Sequence, residues 1–393
     1  MPSEMELSQQ EVSRYARHFA LPGFGLEGQK KLKSAKVLVV GAGGLGCPMI
    51  QYLAAAGVGK LGIVDFDVVD ASNLHRQVLY SMEDVGKSKA EVAAACVARI
   101  NPHVQTEVYK VALDSSNALE IIADYDIVAD GTDNFPTRYL VNDACVIAGK
   151  INVWAAIFRF DGQVSVFNYP LEDGSRGPNY RDLFPEPPPP GSVPNCAEGG
   201  VLGVLPGLLG SLQAAEVIKV AAGLGQVLAG RLMVLDTLTG TSRTLSFDPD
   251  PDAQPITKLI DYEQFCGVGS GDAGNSDEIA AQSNSSTAMK ELTVQEYKAL
   301  RDSGEDHVLI DVREPYEVEI TEMGGQNIPL AQIMGAANGI PRDKKVVLHC
   351  RSGKRSGNAV KALEAQHGFE NLYNLAGGIL AWGAEIDSSI TQY

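Results

Sequence analysis

The sequence lacks paired cysteines. Its six cysteines are scattered over 393 residues, and no C-x-x-C pair occurs. This excludes a disulfide scaffold and indicates a reducing compartment. Cys47, Cys96 and Cys145 lie among apolar residues of predicted helices, where cysteine packs as a small hydrophobic residue. Cys196 and Cys350 instead adjoin glycine-rich and basic segments, which leaves chemical roles open to them.

Basic charge and long apolar runs are also scarce. The formal charge of -17 disfavours nucleic acid or an anionic lipid surface as a partner, because both require a basic field. No run approaches the roughly 20 apolar residues of a membrane helix, and the first residues lack the pattern of a secretory signal. We therefore expect a cytoplasmic protein with no nucleic-acid and no membrane partner.

Strand and helix patterns alternate from Lys36 to Ile157, which predicts an α/β fold with a mostly parallel sheet. Two later stretches alternate around Asp161-Gly162 and Thr239-Gly240, and predict antiparallel hairpins that extend this sheet. A Gly-, Ser- and Asp-rich segment then separates a second, smaller strand–helix alternation. We divide the chain into a domain at 1–266, a flexible linker at 267–289 and a small α/β domain at 290–393.

Residues 41–46 read Gly-Ala-Gly-Gly-Leu-Gly and lie between a predicted strand and a predicted helix. Backbone N–H groups at such a junction can face a phosphate, as in Rossmann-like folds. Asp65 follows the next strand and could hold a ribose hydroxyl, as in an NAD-dependent oxidoreductase. Arg76 and Lys89 could neutralise phosphate oxygens, and Asp133 could hold Mg²⁺. An NAD site needs none of these three, so together they favour ATP.

These motifs closely resemble the adenylyltransferases that activate ubiquitin-like sulfur carriers, the molybdopterin-synthase and ThiS adenylyltransferases, which are related to ubiquitin-activating enzymes. The resemblance covers about Arg14 to Gly267. It implies that Asp65 binds ribose and that Asp133 holds magnesium. Arg17 matches an arginine that this family inserts from the partner subunit, which implies a homodimer. The full set of implied nucleotide-binding residues is Gly41, Gly43, Gly44, Gly46, Asp65, Ser72, Asn73, Leu74, His75, Arg76, Lys89, Asp133 and Asn134.

The resemblance also implies the reaction. The C-terminal glycine carboxylate of a small carrier protein would attack the α-phosphorus of ATP and give an acyl adenylate and pyrophosphate. Cys196 follows a proline-rich segment on a predicted loop and precedes Gly199-Gly200. In the family this cysteine is proposed to bond to the carrier or to resolve a later disulfide. An ordinary loop cysteine is the open alternative.

Zinc is one point of departure from this family. Zinc-containing members have two C-x-x-C pairs that close a tetrahedral site. This chain has residues 179–182, Asn-Tyr-Arg-Asp, at the first place and only Cys266 near the second. A four-cysteine site cannot form, so we expect no structural zinc.

The second domain contains a cysteine in a basic loop. The predicted strand ending at His349 runs into Cys350-Arg351-Ser352-Gly353-Lys354-Arg355, where backbone N–H groups and cations could stabilise an anionic persulfide. A phosphatase loop, C-x₅-R, would need arginine at position 356, which is serine. Residues 290–385 closely resemble a single-domain rhodanese, although 320–327 depart from its pattern. The resemblance implies that Cys350 carries sulfur, within a persulfide loop formed by Arg351, Ser352, Gly353, Lys354 and Arg355.

Joined in one chain, the domains predict adenylation of a carrier followed by sulfur transfer from Cys350. The resemblance implies a MoaD- or ThiS-like carrier, and molybdenum cofactor or thiamine biosynthesis. The upstream sulfur donor would be a cysteine desulfurase or thiosulfate. Two alternatives stay open at this point, an NAD-dependent oxidoreductase and a sulfur-delivery module for tRNA thiolation.

Overall fold

The structure, a computed structural model, describes residues 6–189, 200–267 and 289–391. The chain divides into two compact units, Met1–Asn275 and Ser276–Tyr393, called here the first and second units. Among the described residues, none of the helices has the length and apolar character needed to cross a membrane.

The first unit is built on one sheet of eight strands. Its strands are β1 Lys36–Val40, β2 Lys60–Val64, β3 Gln105–Tyr109, β4 Ile127–Asp130, β5 Ile151–Phe158, β6 Asp161–Phe167, β7 Arg231–Asp236 and β8 Thr241–Ser246. Their order in the sheet is β3-β2-β1-β4-β5-β6-β7-β8. Pairing is parallel from β3 to β5 and antiparallel from β5 to β8. The predicted parallel sheet with an antiparallel extension is confirmed.

Helices cover both faces of this sheet. They are α1 Gln9–Arg14, α2 Ala16–Phe19, α3 Gly25–Ser34, α4 Gly46–Ala56, α5 Lys89–Ile100, α6 Ala118–Ala123, α7 Phe135–Ala148, α8 Tyr180–Leu183, α9 Leu205–Ala222 and α10 Tyr262–Phe265. Successive side chains of a strand point to opposite faces. Accordingly, Val37 and Val39 of β1 pack in a core cluster with α4, α5 and α9, whereas Leu38 and Val40 pack with α6 and α7.

The first hairpin turns earlier than the sequence predicts. Gly162 lies inside β6, and the turn is formed by Arg159 and Phe160, with Arg159 at a left-handed φ of 54°. A Cβ atom at position 162 would overlap the side chain of Leu209 on α9. The prediction was wrong here because this glycine permits close helix packing and does not make the turn.

The second unit has a five-stranded parallel sheet. Its strands are β9 Glu291–Leu292, β10 His307–Asp311, β11 Gln326–Asn327, β12 Lys345–His349 and β13 Leu372–Leu375, in the order β11-β10-β12-β13-β9. Its helices are α11 Val294–Ser303, α12 Pro315–Ile320, α13 Leu330–Ile333, α14 Lys354–His367 and α15 Gly378–Glu385. The predicted α/β character of this part of the chain is confirmed.

Candidate active sites

A cavity of about 250 Å³ lies where β1, β2 and β4 end. The carboxyl ends of parallel strands are the usual position for ligands in such sheets. The cavity brings together nine of the residues predicted to bind nucleotide: Gly41, Gly43, Gly44, Asp65, Asn73, Arg76, Lys89, Asp133 and Asn134. Segments almost a hundred residues apart in sequence therefore meet at one site.

The glycine loop makes its turn through two glycines. Gly41 has a φ of 89°, a conformation that side chains disfavour. A Cβ atom on Gly46 would overlap the carbonyl oxygen of Gly41. Gly46 does not line the cavity formed by the described residues, but it lets the loop fold back so that α4 begins beneath it.

Asp65 ties this loop to the end of β2. Its Oδ2 accepts the backbone N–H of Ala42 at 2.7 Å, and its Oδ1 accepts that of Asp67 at 2.8 Å. Burial raises the pKa of the Asp65 carboxyl above its ordinary value, although these two N–H groups oppose the rise. The carboxylate is thus fixed at the cavity wall with lone pairs left for a hydroxyl.

The two predicted cations reach the cavity from different segments. Lys89 is the first residue of α5, and its Nζ lies 2.8 Å from Oδ2 of Asp67. Its side chain is only 6% exposed, so its charge is directed inward. Arg76 lies 3.4 Å from Oδ1 of Asn73, an oxygen that also accepts from Gln77 at 2.8 Å.

Four residues that are predicted to bind nucleotide make their contacts with neighbouring residues of the protein. Ser72 donates to Asp70 at 2.5 Å, and His75 Nδ1 lies 2.9 Å from the carbonyl oxygen of Ser72. Leu74 packs against the core. These residues do not line the cavity as the described residues form it, and they shape the turn that presents Asn73 and Arg76. Asn134 does line it, but its Oδ1 caps α7 by accepting from Thr137 at 2.9 Å.

Several residues that line the cavity were not predicted from the sequence. Asp67 and Gln77 belong to the same motifs as Asp65 and Arg76. Their closeness in sequence to these two residues could have identified them as cavity residues. Phe66 and Thr132 likewise stand in the motifs of Asp65 and Asp133. The remaining ones are mainly apolar or come from strand ends: Val40, Leu45, Val64, Val111, Ala112, Leu113, Gly131, Thr137, Ile157 and Val201. No local pattern marks the latter group, because only the sheet order places them together.

Asp133 and Asp130 have contrasting environments at the end of β4. Asp133 is exposed at the cavity, whereas Asp130 is completely buried and accepts from Thr132 Oγ1 at 2.6 Å. Burial raises the pKa of Asp130 to about 6. Magnesium commonly binds one or two carboxylates together with substrate phosphates, so the exposed Asp133 fits such a role. No cluster of three or more His, Cys, Asp or Glu side chains that could hold a metal ion occurs within 6–189, 200–267 and 289–391.

The predicted catalytic residues also include Arg17 and Cys196. Arg17 is exposed on α2 and is not among the described residues that line the cavity. Cys196 lies outside the described residues, as does most of the predicted linker.

An ion pair occupies the region where zinc-containing members have cysteines. Arg181 donates to both carboxylate oxygens of Asp143, at 2.9 and 2.8 Å, and Tyr262 donates to the same carboxylate at 2.8 Å. The guanidinium also lies over the rings of Tyr139 and Phe265, at 5.0 and 4.7 Å from their centroids. These contacts join α8 to α7 and α10 without thiolates.

The second candidate site surrounds Cys350, which follows β12 and is 1% exposed. The backbone N–H of Gly353 donates to its Sγ at 3.2 Å. Gly353 has a φ of 87°, and a Cβ atom there would lie 3.0 Å from the backbone of Gly377. The loop can therefore close tightly around the sulfur only with glycine at this position.

The predicted cations of this loop differ in their surroundings. Arg355 makes two hydrogen bonds of 2.7 Å to the buried carboxylate of Glu317 on α12. These two bonds tie the Arg355 guanidinium to α12. Arg351, Ser352 and Lys354 are exposed.

Comparison with known proteins identifies both units. The sequence profile of the ThiF family matches residues 15–255. The chain belongs to the ThiF family. A rhodanese-like domain matches residues 293–385.

Relatives share this arrangement over nearly their whole length. The chain is 47% identical to a probable adenylyltransferase/sulfurtransferase MoeZ of Mycobacterium tuberculosis, over 98% of this chain and 96% of that protein. It is 42% identical to the adenylyltransferase and sulfurtransferase MOCS3 of Sus scrofa, over 100% and 90% respectively. The protein is thus an adenylyltransferase joined to a sulfurtransferase domain, which excludes the NAD-dependent oxidoreductase. Membership of this family also supports ATP as the nucleotide.

Two further comparisons concern the first unit. A sulfur carrier protein adenylyltransferase of Thermus thermophilus is 54% identical over 67% of this chain and 100% of that protein. The crystal structure of E. coli MccB aligns with a TM-score of 0.55 at 22% identity, over 66% of this chain and 76% of that one. This second likeness concerns the fold alone.

Proposed function

We propose that the first unit adenylates the C-terminal glycine of a ubiquitin-like sulfur carrier with ATP and Mg²⁺. The observation that carries this proposal is the convergence of the glycine loop, Arg76, Lys89 and Asp133 on one cavity. The name of the Thermus relative supports a sulfur carrier as the substrate.

The geometry supports catalysis by positioning and charge neutralisation. N–H groups of the glycine loop face the phosphates, Asp65 accepts from the ribose, and Arg76 and Lys89 hold phosphate oxygens. Asp133 would hold the magnesium ion, which adds positive charge near the same oxygens. The carrier carboxylate attacks the α-phosphorus, pyrophosphate leaves, and no nucleophile from the protein is required.

The second unit would complete the reaction with sulfur bound to Cys350. The Cys350 thiolate attacks the sulfane sulfur of thiosulfate or of a cysteine desulfurase's own persulfide and becomes a persulfide itself, while sulfite or the desulfurase thiolate leaves. The terminal sulfur attacks the acyl carbon of the adenylate, AMP leaves, and an acyl disulfide forms. The thiol of Cys196 then reduces this bond, which releases the carrier thiocarboxylate and leaves a Cys196–Cys350 disulfide that a cellular thiol must reduce.

We also propose how the chain is divided, where the enzyme acts and in which oligomeric state. The working domains are 1–266 and 290–393, joined by a flexible linker at 267–289. The enzyme acts in the cytoplasm as a homodimer, in which Arg17 reaches the partner's cavity. Its thiocarboxylate product serves molybdenum cofactor or thiamine biosynthesis.

Isotope exchange tests the first half. With ATP and labelled pyrophosphate, label should enter ATP only when a carrier ending in Gly-Gly is present, and a carrier lacking the last glycine is the control. The variant Cys350→Ala should retain exchange and lose thiocarboxylate formation, measured by mass spectrometry of the carrier. Exchange without any carrier, or thiocarboxylate formed by the variant, would contradict the proposal.

A further inference from the structure

Ser356 lies beside the sulfur of Cys350, in the first turn of α14, and is fully buried. Its Oγ is 2.7 Å from Oδ1 of Asn374 on β13, its nearest acceptor, 3.2 Å from the carbonyl oxygen of Gly353 and 3.4 Å from Sγ of Cys350. The amide Nδ2 of Asn374 donates to Oε1 of Glu291 on β9 at 2.8 Å. A chain of polar contacts therefore runs from an exposed carboxylate to a buried sulfur.

The position of the hydroxyl proton follows from the donors and acceptors in this chain. A carboxylate only accepts hydrogen bonds, so Glu291 draws Nδ2 of Asn374 toward itself and leaves Oδ1 facing Ser356. The serine has one proton to donate. Next to a neutral thiol, Ser356 can donate to Asn374 and turn a lone pair toward the S–H group.

An anionic sulfur changes this preference. A hydrogen bond to a charged acceptor is stronger than one to an amide oxygen, and a buried anion without donors is costly. The hydroxyl would then turn from Asn374 to the sulfur and supplement the N–H of Gly353. Both acceptors lie within reach of the same Oγ, so this change needs only rotation of the hydroxyl.

We propose that Ser356 is a positioning residue whose hydroxyl alternates between Asn374 and the sulfur of Cys350. Glu291 governs this alternation through the orientation of the Asn374 amide. The inference rests on the proposed role of Cys350 as the sulfur carrier, and it adds a donor that the loop residues 351–355 do not include.

Other charged groups surround the Cys350 loop, and substitutions at Ser356 and Glu291 leave these groups in place. Arg355 is paired with Glu317, and Arg351 and Lys354 are exposed at the loop. His349 precedes Cys350 on β12, so its side chain points to the opposite face of the sheet, toward Asp311.

Alkylation of Cys350 in the full chain provides the test. The rate of reaction with iodoacetamide is measured against pH by mass spectrometry of the peptide that contains Cys350. Ser356→Ala should lower the rate at pH values below the midpoint about tenfold and move the midpoint upward, because one charge-assisted hydrogen bond is lost. Ser356→Thr retains the hydroxyl and should restore the wild-type profile.

Two variants at the exposed Glu291 avoid any disturbance of the buried core. Glu291→Ala frees the Asn374 amide to turn Nδ2 toward Ser356, so the hydroxyl is released to the sulfur and the midpoint should move downward. Glu291→Gln keeps an acceptor for Nδ2 and should preserve the wild-type profile, although it removes the same charge.

Three results would overturn the proposal: an unchanged profile for Ser356→Ala, an upward shift for Glu291→Ala, or equal shifts for both Glu291 variants. If Ser356→Ala does not fold, the two Glu291 variants decide. Failure of the proposed function is a separate result, because sulfur transfer by Cys350→Ala would remove that function and leave the alkylation profiles unchanged.

Discussion

Arg355 and Glu317 form a bidentate ion pair, with both N–O distances at 2.7 Å, between the start of α14 and α12. The Glu317 side chain is 4% exposed and that of Arg355 is 18% exposed. A phosphatase loop would need arginine at position 356. Arg355, the arginine next to that position, instead holds α14 and α12 together. It fixes the base of the Cys350 loop, and the sulfur relies on nearer donors.

Removal of one member of this pair should destabilise the second unit. We expect Arg355→Ala to lower the free energy of unfolding by about 3 kcal/mol, because a buried carboxylate loses its partner. Trp154 and Trp382 are the two tryptophans of the chain and lie in different units, so Trp382 fluorescence in a Trp154→Phe background reports on the second unit. The double variant with Glu317→Ala should recover part of the loss, and a strictly additive double variant would contradict the pairing.

Lys89 should contribute to the adenylation step through its inward charge. Lys89→Ala is expected to reduce kcat/KM for carrier-dependent pyrophosphate exchange about 100-fold, because one charge-stabilising group at the phosphates is removed. Lys87 offers a matched control, since its side chain is 59% exposed and pairs with Asp84. Equal effects of Lys87→Ala and Lys89→Ala would refute the assignment.

Arg17 should act across a homodimer. Arg17→Ala and Asp133→Asn are each expected to be inactive as pure proteins. A mixed dimer has one complete site, in which wild-type Asp133 meets wild-type Arg17 from the other chain. Random exchange of subunits should therefore restore about a quarter of wild-type exchange activity. No recovery in a mixture shown to contain mixed dimers would argue against a shared site.

His349 should make the second unit sensitive to acid. It is fully buried, and neither ring nitrogen has a hydrogen-bond partner among the described residues. Burial lowers the pKa of His349 to about 4. Below its ordinary pKa of about 6.5 the unfolded chain takes up a proton that the folded chain does not. The second unit is therefore destabilised only below about pH 6.5 by this difference in proton uptake at His349. Its free energy of unfolding falls by about 3 kcal/mol as the pH decreases to about 4.

The measurement is the free energy of unfolding of the second unit between pH 4 and 7, from Trp382 fluorescence. His349→Leu should flatten this dependence. His367→Leu, at an exposed histidine of α14, is the matched control and should retain the wild-type slope. A wild-type slope in His349→Leu would show that other groups cause the acid sensitivity.

The pair Arg181–Asp143 should stabilise the first unit. Arg181→Ala is expected to lower the free energy of unfolding by about 3 kcal/mol, because the buried Asp143 carboxylate loses its cation and keeps only the Tyr262 hydroxyl and the Asn142 amide as partners. Trp154 fluorescence in a Trp382→Phe background measures this. Arg181→Lys should recover only part of the lost stability, since lysine cannot form the bidentate contact.

EDTA should not change the stability of the wild-type chain, and one tightly held zinc per chain would contradict this prediction.

Much of the fold could be predicted because burial leaves a periodic trace in sequence. The apolar run of β1, the glycine loop and the start of α4 are local features, and their succession indicates a nucleotide site before any contact is known. Gly162 shows the limit of such reasoning. A glycine beside an aspartate resembles a turn, but the structure uses it where α9 approaches the sheet.

The sequence by itself determined the two α/β units, the glycine loop at 41–46 between a strand and a helix, and a cysteine at the end of a strand. These follow from spacing and residue type, which act over a few residues. Only the tertiary structure decided that Arg355 is paired with Glu317 and that Ser356 contacts Asn374, which in turn contacts Glu291. Such contacts depend on strand order and on how distant segments pack, because charge and hydrogen-bond partners are chosen in space and leave no periodic trace along the chain.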